Sequence, residues 1–156
     1  MKTIFNRQRI KFLLLFFLLL LFAIGYNQAQ TLPDYIVDGA DVAPTTITAG
    51  VTTVYTYCKI KNIGDGNGYS GNTELRLYVN QDYASTTGTG FALQYYDIPL
   101  LPGFSTDEIT LSGTINLPAG DYYMVFKVSM PESDDEESDA SNNIAYKAIT
   151  IHSDIT

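Results

Sequence analysis

Beyond residue 30, apolar and polar residues alternate with a period of two over most of the chain, the pattern of strands with one buried face. Val54, Thr56, Cys58 and Ile60 share one side of such a segment, with Tyr55, Tyr57, Lys59 and Lys61 on the other. Leu75, Leu77 and Val79 stand opposite Glu74, Arg76 and Tyr78 in the same way. Ile109, Leu111, Ile115 and Leu117 keep one parity through Gly113, while Tyr122, Met124, Phe126 and Val128 alternate with Tyr123, Val125 and Lys127. In each case the charged residues fall opposite the aliphatic ones, so the apolar sets predict the inward faces. Three further strands are predicted: Tyr35 to Val42, ended by Pro44; a weaker one around Tyr95 to Leu100, ended by Pro102 and Gly103; and Ile144 to Ile151. In the last, Lys147 and Ile149 share a face, which predicts a bulge.

Helical spacing is absent, and Gly or Pro breaks the pattern between segments. Seven short strands in about 120 residues predict an all-β fold, an antiparallel two-sheet immunoglobulin-like sandwich, with a small closed barrel as the alternative. Gly64-Asp65-Gly66-Asn67-Gly68 and Ser85 to Gly90 read as connections, and Glu132 to Asn143 as a strongly polar one.

The first 29 residues follow a different rule: 19 are hydrophobic, none is acidic, and Lys2, Arg7, Arg9 and Lys11 precede an unbroken apolar run from Phe12 to Ile24. A run of 13 residues rises about 20 Å as a helix, short of the roughly 30 Å hydrocarbon core, so it reads as a signal peptide rather than an anchor. Cleavage after Ala29 is expected, leaving a domain over residues 30–152, a tail over 153–156, and no membrane insertion afterwards. The expected compartment is outside the cytoplasm: secreted, periplasmic or at the cell surface.

Charge and rare residues narrow the chemistry. Residues 30–156 carry 5 basic and 17 acidic groups, a formal net charge of −12. A body this acidic does not track nucleic acid, where Lys and Arg must replace counterions. A single Cys forms no internal disulfide, and Cys58 shares parity with Val54 and Ile60, so it is expected buried and unpaired. His152, the one histidine, lies near the end of the last predicted strand and is expected exposed. With no nucleophile, base and orienting group to converge, no catalytic residue is assigned and no enzyme is expected.

Two constellations remain. Tyr is abundant, with 11 after residue 30 and no Trp in the chain. Tyr55, Tyr57, Tyr78 and Tyr123 fall on outward faces, where an amphipathic ring suits a protein or glycan surface; tyrosines that only pair across a solvated sheet are the alternative. Tyr122, after Gly120-Asp121, is placed for a tyrosine corner. Glu132, Asp134, Asp135, Glu136, Glu137 and Asp139 put six carboxylates within eight residues, and Asn142 adds an amide oxygen. Calcium takes six to eight such oxygens, so Glu137, Asp139 and Asn142 are expected calcium ligands, against the alternative of a solvated loop without any cofactor.

The order of short motifs resembles the CARDB domain, an adhesion-related module of bacterial exported proteins. Pro33-Asp34 opens a strand, Pro44 precedes Thr46 to Gly50, and the next strand ends Ile60-Lys61-Asn62-Ile63-Gly64. Leu75 to Asn80, Leu101-Pro102-Gly103, Pro118-Ala119-Gly120-Asp121-Tyr122 and the acidic stretch ending Glu137-Ser138-Asp139-Ala140-Ser141-Asn142-Asn143 are similar to the family's later features. Lys127 departs from it, standing where many members carry an Asp. The resemblance covers roughly residues 32 to 152 and implies an immunoglobulin-like sandwich acting as a non-enzymatic adhesion, binding or spacer module. A protein or glycan at the cell surface is then the expected partner. The alternative is a subunit of a self-assembling surface structure that uses edge-strand pairing.

Overall fold

The computed structural model describes residues 31–153 apart from 69–71, 86, 98–99 and 131–136. The leader expected over residues 1–29 and most of the acidic run therefore lie outside the described residues. No helix among those described is long and apolar enough to cross a membrane.

Eight strands form: β1 (Tyr35–Ala43), β2 (Thr46–Thr48), β3 (Thr53–Asn62), β4 (Asn72–Asn80), β5 (Thr89–Asp97), β6 (Ile109–Thr114), β7 (Gly120–Ser129) and β8 (Ile144–His152). One sheet has the order β1-β3-β6 and the other β2-β8-β7-β4-β5. They pack face to face as an immunoglobulin-like sandwich, and the alternating sets named above supply its interior. Val54, Ile60, Leu75, Leu77, Met124 and Phe126 are all fully buried there.

The strand added to the predicted seven is β2, which is only three residues long and too short to show a period. It pairs in parallel with β8, from Thr46 opposite Thr150 to Thr48 opposite His152. The chain thus leaves the first sheet at Ala43, turns through a cis Ala43-Pro44 bond and joins the second. All other pairings are antiparallel.

The bulges fall elsewhere than expected. The β7–β8 register runs unbroken, with Met124 opposite Lys147 and Tyr122 opposite Ile149. Lys147 does share the inward side, but at the margin of the sandwich, where its ammonium reaches Asp41 at 3.5 Å and stays half exposed. A bulge instead interrupts β1 between Asp38 and Asp41. Gly39 takes φ +65°, a left-handed conformation that favours glycine, and the inward set shifts from Tyr35 and Val37 to Val42. A second break in register, between Leu77 and Tyr78 of β4, leaves Phe91 of β5 as the extra residue. Its ring lies against Gly113 of the opposite sheet.

β5 also begins earlier than predicted, at Thr89 rather than near Tyr95. The Gly88-Thr89-Gly90 stretch reads as a connection, yet Val79 and Tyr78 draw Thr89 and Gly90 into the ladder.

Candidate functional site

The outer face of the five-stranded sheet carries most of the aromatic signal. Tyr78 points outward from β4, as its parity requires, but is only 2 % exposed, which corrects its assignment to a solvent-facing binding surface. The cause is the connection over residues 81–88, whose described members, Tyr83 and Gly88 among them, lie back over the sheet. Asn80 and Asp82 shape that connection through local turns: Asn80 Oδ1 accepts from Asp82 N at 3.2 Å and Asp82 Oδ1 from Ala84 N at 3.0 Å. Asn80 Nδ2 also donates to the Thr87 carbonyl. Gly88 then lies so close to the sheet that a Cβ there would come within 2.7 Å of the Val79 carbonyl and 3.1 Å of the Tyr78 ring. Beneath the connection, Tyr78 stands opposite Val125, which is also fully buried although its parity is outward.

Tyr83 of that connection closes the layer. Its ring stacks on Tyr146 of β8 at 4.5 Å between centroids and meets Tyr123 of β7 edge-on at 5.5 Å, and Tyr123 meets Tyr146 at 5.5 Å. Tyr83 and Tyr146 are each 47 % exposed and Tyr123 is half-buried. The alternation placed Tyr123 correctly, while Tyr83 and Tyr146 escaped it. The first sits in a connection, where parity means nothing, and the second in the strand whose parity was ambiguous. Tyr55 and Tyr57 lie apart on the outer face of the three-stranded sheet, exposed and half-buried respectively.

The second constellation forms where β1 begins and the β7–β8 connection returns. Glu137 Oε1 accepts from the Tyr35 N–H at 2.6 Å and its Oε2 from Asn143 Nδ2 at 2.7 Å. Burial pushes its carboxyl above the usual range, with the negative charges of Asp34 and Asp139 adding to the effect and the bonds from Asn143 and Tyr35 opposing it. Asn142 Nδ2 donates to Asp34 Oδ1 at 3.0 Å. Asp139 caps the short 3-10 turn Ala140–Asn142 by accepting from Ser141 N at 2.9 Å and from the Ser141 hydroxyl. Those two bonds hold its carboxyl below the usual value. The fold thus brings Glu137 and Asn142 to one pole and gives Asp139 a capping role at its exposed side. Among the described residues no three His, Cys, Asp or Glu side chains converge as a metal-binding group. Glu132, Asp134, Asp135 and Glu136 lie outside those residues.

Asn62, fully buried, is the framework of this pole. Its Oδ1 accepts from Asp34 N and Gly64 N at 3.0 Å each, and its Nδ2 donates to the carbonyls of Gly66 and Leu100 at 2.8 and 2.9 Å. A Cβ on Gly66 would collide with the backbone of Thr31 and Leu32, so the glycines of this turn permit a close crossing of chains. Midway along β3, Cys58 is buried and free, its thiol pushed up to about 12 by burial and by the nearby Glu108. His152 is the exposed last residue of β8. The Tyr122 ring lies in the core, but its hydroxyl makes no hydrogen bond to backbone among the described residues, so the tyrosine-corner bond is not formed there.

With this geometry in place, comparison with known proteins defines the class. The chain has the fold of a CARDB domain, and the CARDB family model matches residues 32–147. It belongs to that family. Its structure is similar to a crystal structure of the CARDB domain of the PF1109 protein from Pyrococcus furiosus, described as in complex with di-metal ions, at 21% identity and a TM-score of 0.57. The match covers 77% of this chain and 94% of that one. A solution structure of the same Pyrococcus furiosus domain matches at 22% identity and a TM-score of 0.55, over 77% and 95% of the two chains. No curated protein matches.

Proposed function

We propose that this protein is an exported, non-enzymatic adhesion module that binds a protein or glycan at the cell envelope or outside the cell. Membership of the CARDB family supports the adhesion-related reading, and the charge and apolar pattern of the first 29 residues supports export. The observation that carries the binding role is the cluster of Tyr83, Tyr123 and Tyr146. Three separate segments bring these rings together on one sheet face, with two of them half exposed. Rings of this kind offer large contact area with little rotamer freedom to lose, and their hydroxyls suit a polar partner. Binding of the purified protein to envelope polysaccharide and to envelope protein, measured separately by depletion, is the test. Replacing Tyr83 and Tyr146 together by Ala is expected to weaken the interaction at least tenfold with the fold retained. Unchanged binding by that variant would sink the assignment of this face.

A second reading is self-assembly by strand addition. β5 and β6 are edges of their sheets, and an open groove of about 530 Å³ lies between them, lined by Gln94, Leu100, Thr106, Glu108, Ile109 and Leu111 among others. Light scattering coupled to size exclusion separates the two. A single mass near that of the chain supports the adhesion module, and a concentration-dependent series of multimers supports assembly.

A further inference from the structure

Beside the tyrosine cluster, the outer face of the five-stranded sheet carries a charge arrangement that its own stability does not call for. One rung across four strands reads Leu93, Arg76, Lys127 and Ile144, in the order β5, β4, β7, β8. Arg76 and Lys127 stand directly opposite each other on strands about 4.8 Å apart, a relation in which like charges repel. Residues 30–156 have only 5 basic groups against 17 acidic ones, and the fold sets two of the five side by side. The others are placed differently: Lys59 faces Asp38, Lys61 faces Ile36, and Lys147 reaches Asp41. Arg76 does have one carboxylate, since its Nε donates to Glu74 Oε1 at 2.7 Å, and Glu74 is only 6 % exposed. That bond orients the guanidinium and leaves its four other N–H groups, on a side chain 52 % exposed, to point at something else. Lys127 is half-buried and makes no ion pair among the described residues.

The next rung holds Tyr78, Val125 and Tyr146 on β4, β7 and β8. Tyr78 and Val125 are covered, so Tyr146 with Tyr83 stacked on it makes an aromatic wall next to the basic pair. Two residues along a strand advance about 6.7 Å, which puts the backbones of Tyr146 and Lys127 about 8 Å apart. One small ring can therefore touch the wall while a negative group attached to it meets the ammonium and the guanidinium. β4 and β7 are interior strands whose backbone groups are spent on both neighbours, so an extended peptide laid here gains no main-chain hydrogen bonds. Recognition has to come from side chains: flat rings with hydroxyl tips, and a planar fork that takes a carboxylate bidentately. We propose that this ledge binds an acidic glycan, with a uronic acid carboxylate held by Arg76 and Lys127 and a sugar face against Tyr146 and Tyr83. Selection of a charged sugar by the ledge rests on this sheet face being the adhesive one, and it sets the acidic glycan above a neutral glycan or a protein. The net charge of −12 repels a polyanion elsewhere on the surface, which confines such a chain to the ledge.

The test is a titration of the purified protein with tetragalacturonate, followed by NMR through the backbone amides, beside parallel titrations with the methyl ester of the same tetramer and with polyglutamate. The acid is expected to shift resonances around Arg76, Lys127 and Tyr146 saturably and to bind about tenfold more tightly than the ester, the worth of one charge-assisted contact. Lys127→Gln is expected to remove that advantage while the melting midpoint stays the same or rises slightly, because the repulsion from Arg76 is relieved. Arg76→Lys keeps a cation for Glu74 but loses the fork, and the same loss of affinity is expected. Replacing Tyr83 and Tyr146 together by Ala should weaken binding of acid and ester alike. Equal affinity for acid and ester, or full affinity for the acid in both Lys127→Gln and Arg76→Lys, would overturn the charged sugar even where the tyrosine pair still matters for adhesion. Polyglutamate binding as tightly as the uronate would overturn the glycan in favour of an acidic protein. Absence of saturable shifts at these residues with tetragalacturonate would overturn the ledge.

Discussion

The outer faces of the two sheets look alike in the sequence and differ in the fold. On the three-stranded sheet, Tyr55, Tyr57, Lys59 and Lys61 stand where their parity puts them, in or near solvent, and Lys59 faces Asp38 across the β1–β3 pair. On the five-stranded sheet, Tyr78 and Val125 have the same outward parity and are as buried as the interior. The difference is one connection. The described members of residues 81–88 lie over the second sheet, whereas Tyr55 and Lys59 on the first stay exposed. Alternation therefore reports which way a side chain points, while its burial depends on what crosses above it. Leu77 and Tyr78 make the point within one strand, since they face opposite ways and neither is more than 2 % exposed.

This contrast can be broken or sharpened by experiment. The largest effect expected is alkaline and concerns the interior face of the three-stranded sheet. Because the folded state holds the Cys58 proton to about 12 against an ordinary value near 9, stability is intact below the unfolded value and falls as pH rises from there. Each pH unit costs about 1.4 kcal/mol, up to about 4 kcal/mol across the interval. Cys58→Val should remove that part of the slope in denaturant melts from pH 8 to pH 11. Identical slopes in the two proteins would show that water reaches this face. The thiol should also resist labelling until denaturant is added.

Next in size, Tyr78→Ala is expected to cost about 3 kcal/mol or more, as for a large buried aromatic, while Tyr55→Ala changes stability by less than about 0.5 kcal/mol. Equal costs at the two positions would erase the difference between the outer faces. Gly88→Ala should destabilise by about 1–3 kcal/mol, because its methyl meets backbone rather than a movable side chain. Limited proteolysis between Gln81 and Gly88 should become faster in that variant. Tyr83→Ala should cost about 1 kcal/mol, the worth of its aromatic contacts with Tyr123 and Tyr146, and expose the same segment. The smallest effect is expected from Tyr78→Phe. The Tyr78 hydroxyl is buried without a partner, so its removal should leave the melting midpoint unchanged or raise it slightly.

Much of the interior was legible from period two, because β3, β4 and β7 each keep a single parity over their length. β1 did not yield its full inward set, since the bulge at Gly39 moves Val42 to the side that Tyr35 and Val37 occupy. β2 was invisible as three residues whose pairing is with a strand a hundred positions away. Of the candidate site, Glu137 and Asn142 were found through composition alone, while Asp34 and Asn143 gain their meaning only from hydrogen bonds that span the chain. Asn62 shows the same limit. A polar residue ending a strand looks like a turn signal, and only the fold reveals four backbone groups converging on its amide.

The parallel pairing of β2 with β8 has a mechanical consequence. β1 starts beside the residues that lead into β8, Asp41 lies level with Lys147 halfway along, and the Ala49 N–H bonds the His152 carbonyl at the far end. The described chain therefore starts at one pole of the sandwich and leaves β8 at the other. A tether pulling before Thr31 and after Ser153 acts along the strands, so the β2–β8 rungs bear tension together in shear instead of opening one at a time like a zipper. Single-molecule stretching should find one abrupt rupture at high force, the behaviour suited to a part that must hold while two surfaces are dragged apart. A gradual opening at low force would show that the load bypasses this pairing.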